Sequence, residues 1–123
     1  MEGKMLSKDE TYTLIPIASD DGLDSKVALH FGHAPYFALI DSDGELLVVP
    51  NDLDHSENGV SPVAQLLERY AITRVVALHM GKKAQAEFAR HGVRLLKATS
   101  GIVGEVNARI DSLEPITATD TFH

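Results

Sequence analysis

The chain has 123 residues, is 44% hydrophobic and 24% charged, carries a formal charge of -7 and contains no cysteine. That is the make-up of one soluble globular domain with a single core, and its acidic balance speaks against general nucleic-acid binding, which relies on a basic surface. Without cysteine there is no disulfide framework, no thiolate metal site and no cysteine nucleophile, which fits a cytoplasmic protein.

Residues 1–11 read as a flexible, polar lead-in, and Met1 to Glu10 lacks the apolar core of a signal peptide. No apolar run approaches the ~20 residues of a membrane span. Tyr12 to Ala18 is a short apolar strand ending in the turn Asp20-Asp21-Gly22, and Pro16 inside it predicts a bulge or a strand end. The loop His30-Phe31-Gly32-His33-Ala34-Pro35 feeds a second strand, Tyr36 to Asp41. Ser42-Asp43-Gly44 turns it into a third, Glu45 to Val49, as a hairpin. Ser61 as cap and Pro62 at the first helical position start a helix, and Val63, Leu66, Leu67 and Tyr70 share one of its faces. Arg74 to Leu78 is a buried-type strand, and Gly81 precedes a helix over Lys82 to His91 that Gly92 closes. Val93 to Leu96 is a last strand. Ser100 caps a third helix whose apolar face runs from Ile102 through Val106, Ile110 and Leu113 until Pro115. The domain spans 12–113, and 114–123 reads as a loose tail.

The order β-β-β-α-β-α-β-α predicts an α/β fold with a single five-stranded mixed sheet and helices on both faces. The first three strands form an antiparallel meander, and the last two are joined by right-handed crossovers. The loops after strands one, three, four and five then open at one edge of the sheet. They carry His30 and His33, then His55, then His79 with Lys82 and Lys83, then Thr99 and Ser100, whereas His91 falls on the opposite side. Ligands of open α/β sheets bind at the carboxyl ends of the strands.

The chemistry of that rim follows from its residue types. His30 and His33 lie three residues apart beside Gly32 and form a candidate ligand pair. Helix starts near Gly81 and near Ser100 or Gly101 offer unpaired N–H groups and a dipole that favour anions. Lys82 and Lys83 are slightly unfavourable at a helix start, which argues for an anionic partner there. An anionic metal cluster, a metallated cofactor or a phosphate-bearing metabolite suits the rim better than hydrolytic catalysis. Histidine accepts zinc, copper, iron and nickel alike, so the metal stays open. In the plainer reading, a loop histidine is a surface residue, Phe31, Tyr36 and Phe37 are core or loop-anchoring aromatics, and Asp20, Asp21, Asp41 and Asp43 are turn residues. A two-metal nuclease needs several converging carboxylates; only Asp20 and Asp21 sit near the carboxyl end of strand one, and Asp41 lies at the opposite edge.

The segments Ile15-Pro16-Ile17-Ala18-Ser19-Asp20-Asp21, His30-Phe31-Gly32-His33-Ala34-Pro35-Tyr36-Phe37, Ala64-Gln65-Leu66-Leu67 and Met80-Gly81-Lys82-Lys83-Ala84 resemble the dinitrogenase iron–molybdenum cofactor biosynthesis family, as does the ending Gly92-Val93 to Gly101. The resemblance covers Leu14 to Ile110, and its most specific part is His-Phe-Gly followed by Ala-Pro-Tyr-Phe. It implies a ribonuclease-H-like fold and a non-catalytic, NifX-like carrier of an iron–sulfur or iron–molybdenum cofactor precursor, working with cofactor-assembly proteins; the sequence leaves monomer and homodimer both open, with Glu45 to Val49 as an edge strand that supports a dimer. Carried over residue by residue, it makes His30 the cluster ligand and Gly81 with the following helix start part of an anion-accepting rim; Phe31, Gly32, His33, His79, Lys82 and Lys83 complete the candidate cofactor-binding set. The family often has arginine where His33 stands and a glycine-rich run where His79-Met80 stands. A regulatory or interaction module for a small anionic metabolite is the alternative from a different class.

Overall fold

The computed structural model describes residues 11–51, 62–98 and 101–116. Its elements run β1 (Tyr12–Ile17), β2 (Tyr36–Asp41), β3 (Leu46–Pro50), α1 (Pro62–Arg69), β4 (Ile72–Ala77), α2 (Lys82–Arg90), β5 (Arg94–Lys97) and α3 (Val103–Ala108). The sheet order is β3-β2-β1-β4-β5, with β1 antiparallel to β2, β2 antiparallel to β3, and β1, β4 and β5 parallel. The mixed sheet and the shared direction of β1, β3, β4 and β5 therefore agree with the sequence.

Alternation along the strands divides the core in two. Tyr12, Leu14, Phe37 and Leu39 face α1 and α2, where Val63, Leu66 and Phe88 meet them. Ile15, Ile17, Ala38 and Ile40 face α3, which contributes Val103 and Val106. Every residue of β1 is buried, as a central strand covered on both faces requires. Among the described residues no helix is long and apolar enough to cross a membrane.

Pro16 is accommodated without a bulge. Its carbonyl accepts a 2.9 Å hydrogen bond from the Ala28 N–H, so its missing N–H falls on the side facing the returning loop. The β1–β4 ladder has already stopped at Leu14↔Val75, and the register shift in that ladder lies between Tyr12 and Thr13 instead. No sheet hydrogen bond to β4 is lost at the proline.

Other boundaries differ in informative ways. The fourth strand begins at Ile72, before Arg74, because buried Ile72 already pairs with Tyr12 of β1, and the Arg74 Nε–H donates to Thr13 Oγ1 on that same strand at 3.1 Å. The third helix is shorter than its apolar spacing predicts. It ends at Ala108, Arg109 leaves helical geometry with φ −109° and ψ 15°, and a 3-10 turn over Ile110–Ser112 continues the same apolar face. Its N-cap is Ile102; Ser100, the predicted cap, lies outside the described residues, as do Thr99, His55 and Ser61. Residues 114–116 are no loose tail: Lys97 N–H donates to the Glu114 carbonyl at 2.7 Å, Ile116 N–H donates to Leu95 at 3.1 Å, and Leu96 bridges Pro115 antiparallel. Ile116 is buried there, so packing of the chain continues past Leu113.

Candidate functional site

The connection after β1 returns to β2 on one side of the sheet, while the connection after β4 passes through α2 to β5 on the other. Ligands of open α/β sheets bind at the carboxyl ends of the strands where such connections part. Here the loop after β1 runs into the gap beyond β1 and β4. Val27 bridges Ile17, and His30 forms a parallel bridge with His79, which follows β4. Segments well separated in sequence therefore meet at His30 and His79, as the rim predicted from topology requires.

His30 is held from below. It is the N-cap of a 3-10 turn over Phe31–His33, which contains Gly32. The Phe31 ring is buried, 5.6 Å from the Phe37 ring and 5.5 Å edge-on to Phe88. Phe31 thus plugs the loop into the core, as its reading as a loop-anchoring aromatic expects. His33 is exposed, and its ring stands perpendicular to that of half-buried His30 with centroids 6.3 Å apart.

The opposite wall comes from β4 and α2. Met80 is buried to 1% exposure and anchors His79 and Gly81 on either side. Gln85 folds back from the first turn of α2 and donates from Nε2 to the Met80 carbonyl at 2.8 Å. Gly81 is the N-cap in extended geometry, with no side-chain cap and no acidic residue in the first turn, and Lys82 and Lys83 are exposed there. The amide groups that open α2 point along the helix axis and favour a negative partner.

The start of α3 differs, with Glu105 in its first turn and its first amide engaged. The Val103 N–H donates to the Ser25 carbonyl at 3.0 Å, the Gly101 carbonyl accepts from Val27 at 2.7 Å, and Lys26 bridges Ile102. A backbone clasp thus takes the first amide of the helix start that the sequence offered as a second anion site.

Asn51 is a positioning residue that sequence reasoning missed. Its Nδ2 donates to the Ala34 carbonyl at 2.7 Å and its N–H to the Pro35 carbonyl at 2.9 Å, fastening the histidine loop to the end of β3. An asparagine just after an apolar strand was its only signal. His91 sits exposed at the C-cap of α2, away from the rim. Among the described residues no three His, Asp or Glu side chains group closely enough to hold a metal ion by themselves.

Comparison with known proteins decides the relationship. Residues 12–112 match the dinitrogenase iron–molybdenum cofactor family. The chain belongs to that family. Among solved structures, this family member is similar to a Thermotoga protein described as a candidate NifB protein, at 27% identity and a TM-score of 0.71, covering 87% of this chain and 94% of that one. The apo form of the orange protein from Desulfovibrio gigas shares the fold at 18% identity and a TM-score of 0.72, over 86% of this chain and 92% of that one. A candidate dinitrogenase from Methanococcus jannaschii shares it at 12% identity and a TM-score of 0.61, over 88% and 94%. No curated protein sequence matches the chain.

Proposed function

We propose that this member of the dinitrogenase iron–molybdenum cofactor family is a non-catalytic carrier of an anionic iron–sulfur or iron–molybdenum-type precursor. The observation that carries the reading is the bridge between His30 and His79 beyond the carboxyl ends of β1 and β4. It joins an imidazole donor to the loop that opens α2, so one cargo meets both a ligand and a field that favours its charge. His30 supplies a nitrogen lone pair to a metal of the cargo, and Lys82, Lys83 and the amides after Gly81 offset the cargo's negative charge. His33 and His79 flank the ligand, while Phe31, Gly32, Met80 and Asn51 set the shape of the loops. The ribonuclease-H-like designation, a cytoplasmic location and exchange with cofactor-assembly proteins belong to the same reading.

The test is an anaerobic titration of wild type and His30→Ala with a reconstituted iron–sulfur cofactor precursor, read by visible absorption. Stoichiometric uptake by wild type and its loss in the variant are expected. Undiminished uptake by His30→Ala removes His30 as ligand, and no uptake by wild type removes the carrier reading.

A further inference from the structure

We infer that His30 and His33 together chelate a single divalent first-row ion of the zinc, nickel or copper class, independently of any cluster. The inference shares His30 with the carrier site and rests on that reading only for taking this rim as the ligand-facing side.

A single 3-10 turn is short, with three residues per turn, so the residues that bound it stay close in space. His30, the extended N-cap, and His33, the last residue of the turn, stand three residues apart at its two ends, with their rings perpendicular and the centroids 6.3 Å apart. Zinc–imidazole bonds of about 2.0–2.1 Å place two rings on one tetrahedral ion with centroids about 5 Å apart. The observed pair is therefore wider than such a site by only about 1 Å. The adjustment falls on His33, which is exposed at the surface, whereas Phe31 and the bridge to His79 fix the backbone of His30.

The donor set then selects the ion. Neutral imidazoles suit zinc, nickel and copper and leave the oxygen-loving magnesium and calcium poorly served. No third His, Asp or Glu among the described residues joins the pair in a ready-made cluster. Such a chelate keeps open coordination positions and exchanges its ion readily, in contrast to a closed structural zinc site.

The experiment is a zinc titration of the full chain against a chromophoric chelator, together with imidazole 15N NMR. It uses wild type, His30→Ala, His33→Ala and, as a control outside the rim, His91→Ala. Wild type binds zinc, His30→Ala and His33→Ala each weaken binding at least about tenfold, and His91→Ala binds as wild type. Zinc shifts the ring nitrogens of His30 and His33, and backbone amide spectra of the same samples verify the fold. Wild-type affinity in His33→Ala, zinc-induced shifts confined to other histidines, or no zinc binding each overturns the inference. Cluster uptake measured on the same proteins separates the two readings. Uptake without zinc chelation overturns this inference alone, and zinc chelation without uptake overturns the carrier reading alone.

Discussion

Phe31→Ala removes the plug beneath the candidate ligand. The ring is 5% exposed and packs at 5.6 Å from Phe37 and 5.5 Å from Phe88. Truncating a buried phenylalanine costs about 3–5 kcal/mol, of which each aromatic contact supplies about 0.5–1.5 kcal/mol. The backbone hydrogen bond across the turn, from Ala34 N–H to the Phe31 carbonyl, is 3.5 Å long and adds little. A turn so weakly bonded relaxes into the hole, which puts the loss at the low end, about 3 kcal/mol. For a domain of this size that lowers the melting temperature by about 12 °C. Urea unfolding followed by circular dichroism measures the loss as a lower midpoint at unchanged slope. Phe31→Leu keeps the bulk and loses less than about 1.5 kcal/mol. Cluster uptake should fall in Phe31→Ala and largely return in Phe31→Leu. A stability loss below about 1 kcal/mol in Phe31→Ala refutes the plug, and abolished uptake at such a small loss assigns Phe31 to direct contact with the cargo.

Replacing Lys82 and Lys83 by glutamate should move two readouts in opposite directions. Acidic residues in the first turn of α2 stabilise the fold by about 0.3–1 kcal/mol each, seen in thermal melts, while uptake of an anionic cluster weakens most at low ionic strength. Gly92→Ala places a side chain at φ 78°, where its Cβ meets nothing within 4 Å, so the cost is one of backbone conformation alone. It should amount to about 1–2 kcal/mol in urea unfolding. Ile116→Ala should cost about 2 kcal/mol by the same assay, and an unchanged midpoint there returns residues 114–116 to the status of a loose tail.

Local signals were legible wherever one segment decides its own conformation. The second strand is bounded as predicted, Tyr36–Asp41, because its apolar run ends in a turn that needs Gly44 at φ 85°. The second helix starts at Lys82 because Gly81 and Gly92 bracket it. What stayed hidden depends on residues distant in sequence. No periodicity shows that the Val103 N–H is taken by Ser25, so α3 looked like an open anion site. Arg74 reads as the edge of a strand until Thr13 receives its guanidinium. Topology gathers His30 and His79 at one rim, but their bridge depends on where β1 and β4 part, which their apolar character does not reveal.

The short seam between β1 and β4 separates the durability of the binding space from the identity of what binds. The ladder ends at Leu14↔Val75, and the chain returning through Val27 and His30 stitches itself to Ile17 and His79 by main-chain bridges. The frame of this rim is made of peptide groups, and the imidazoles and lysines only furnish it. Exchanging His33, Lys82 or Lys83, all exposed, leaves that frame standing. The same scaffold can therefore be refitted to a different cargo by a few loop substitutions, with the cost in folding stability largely confined to Phe31 and the residues packed beneath it.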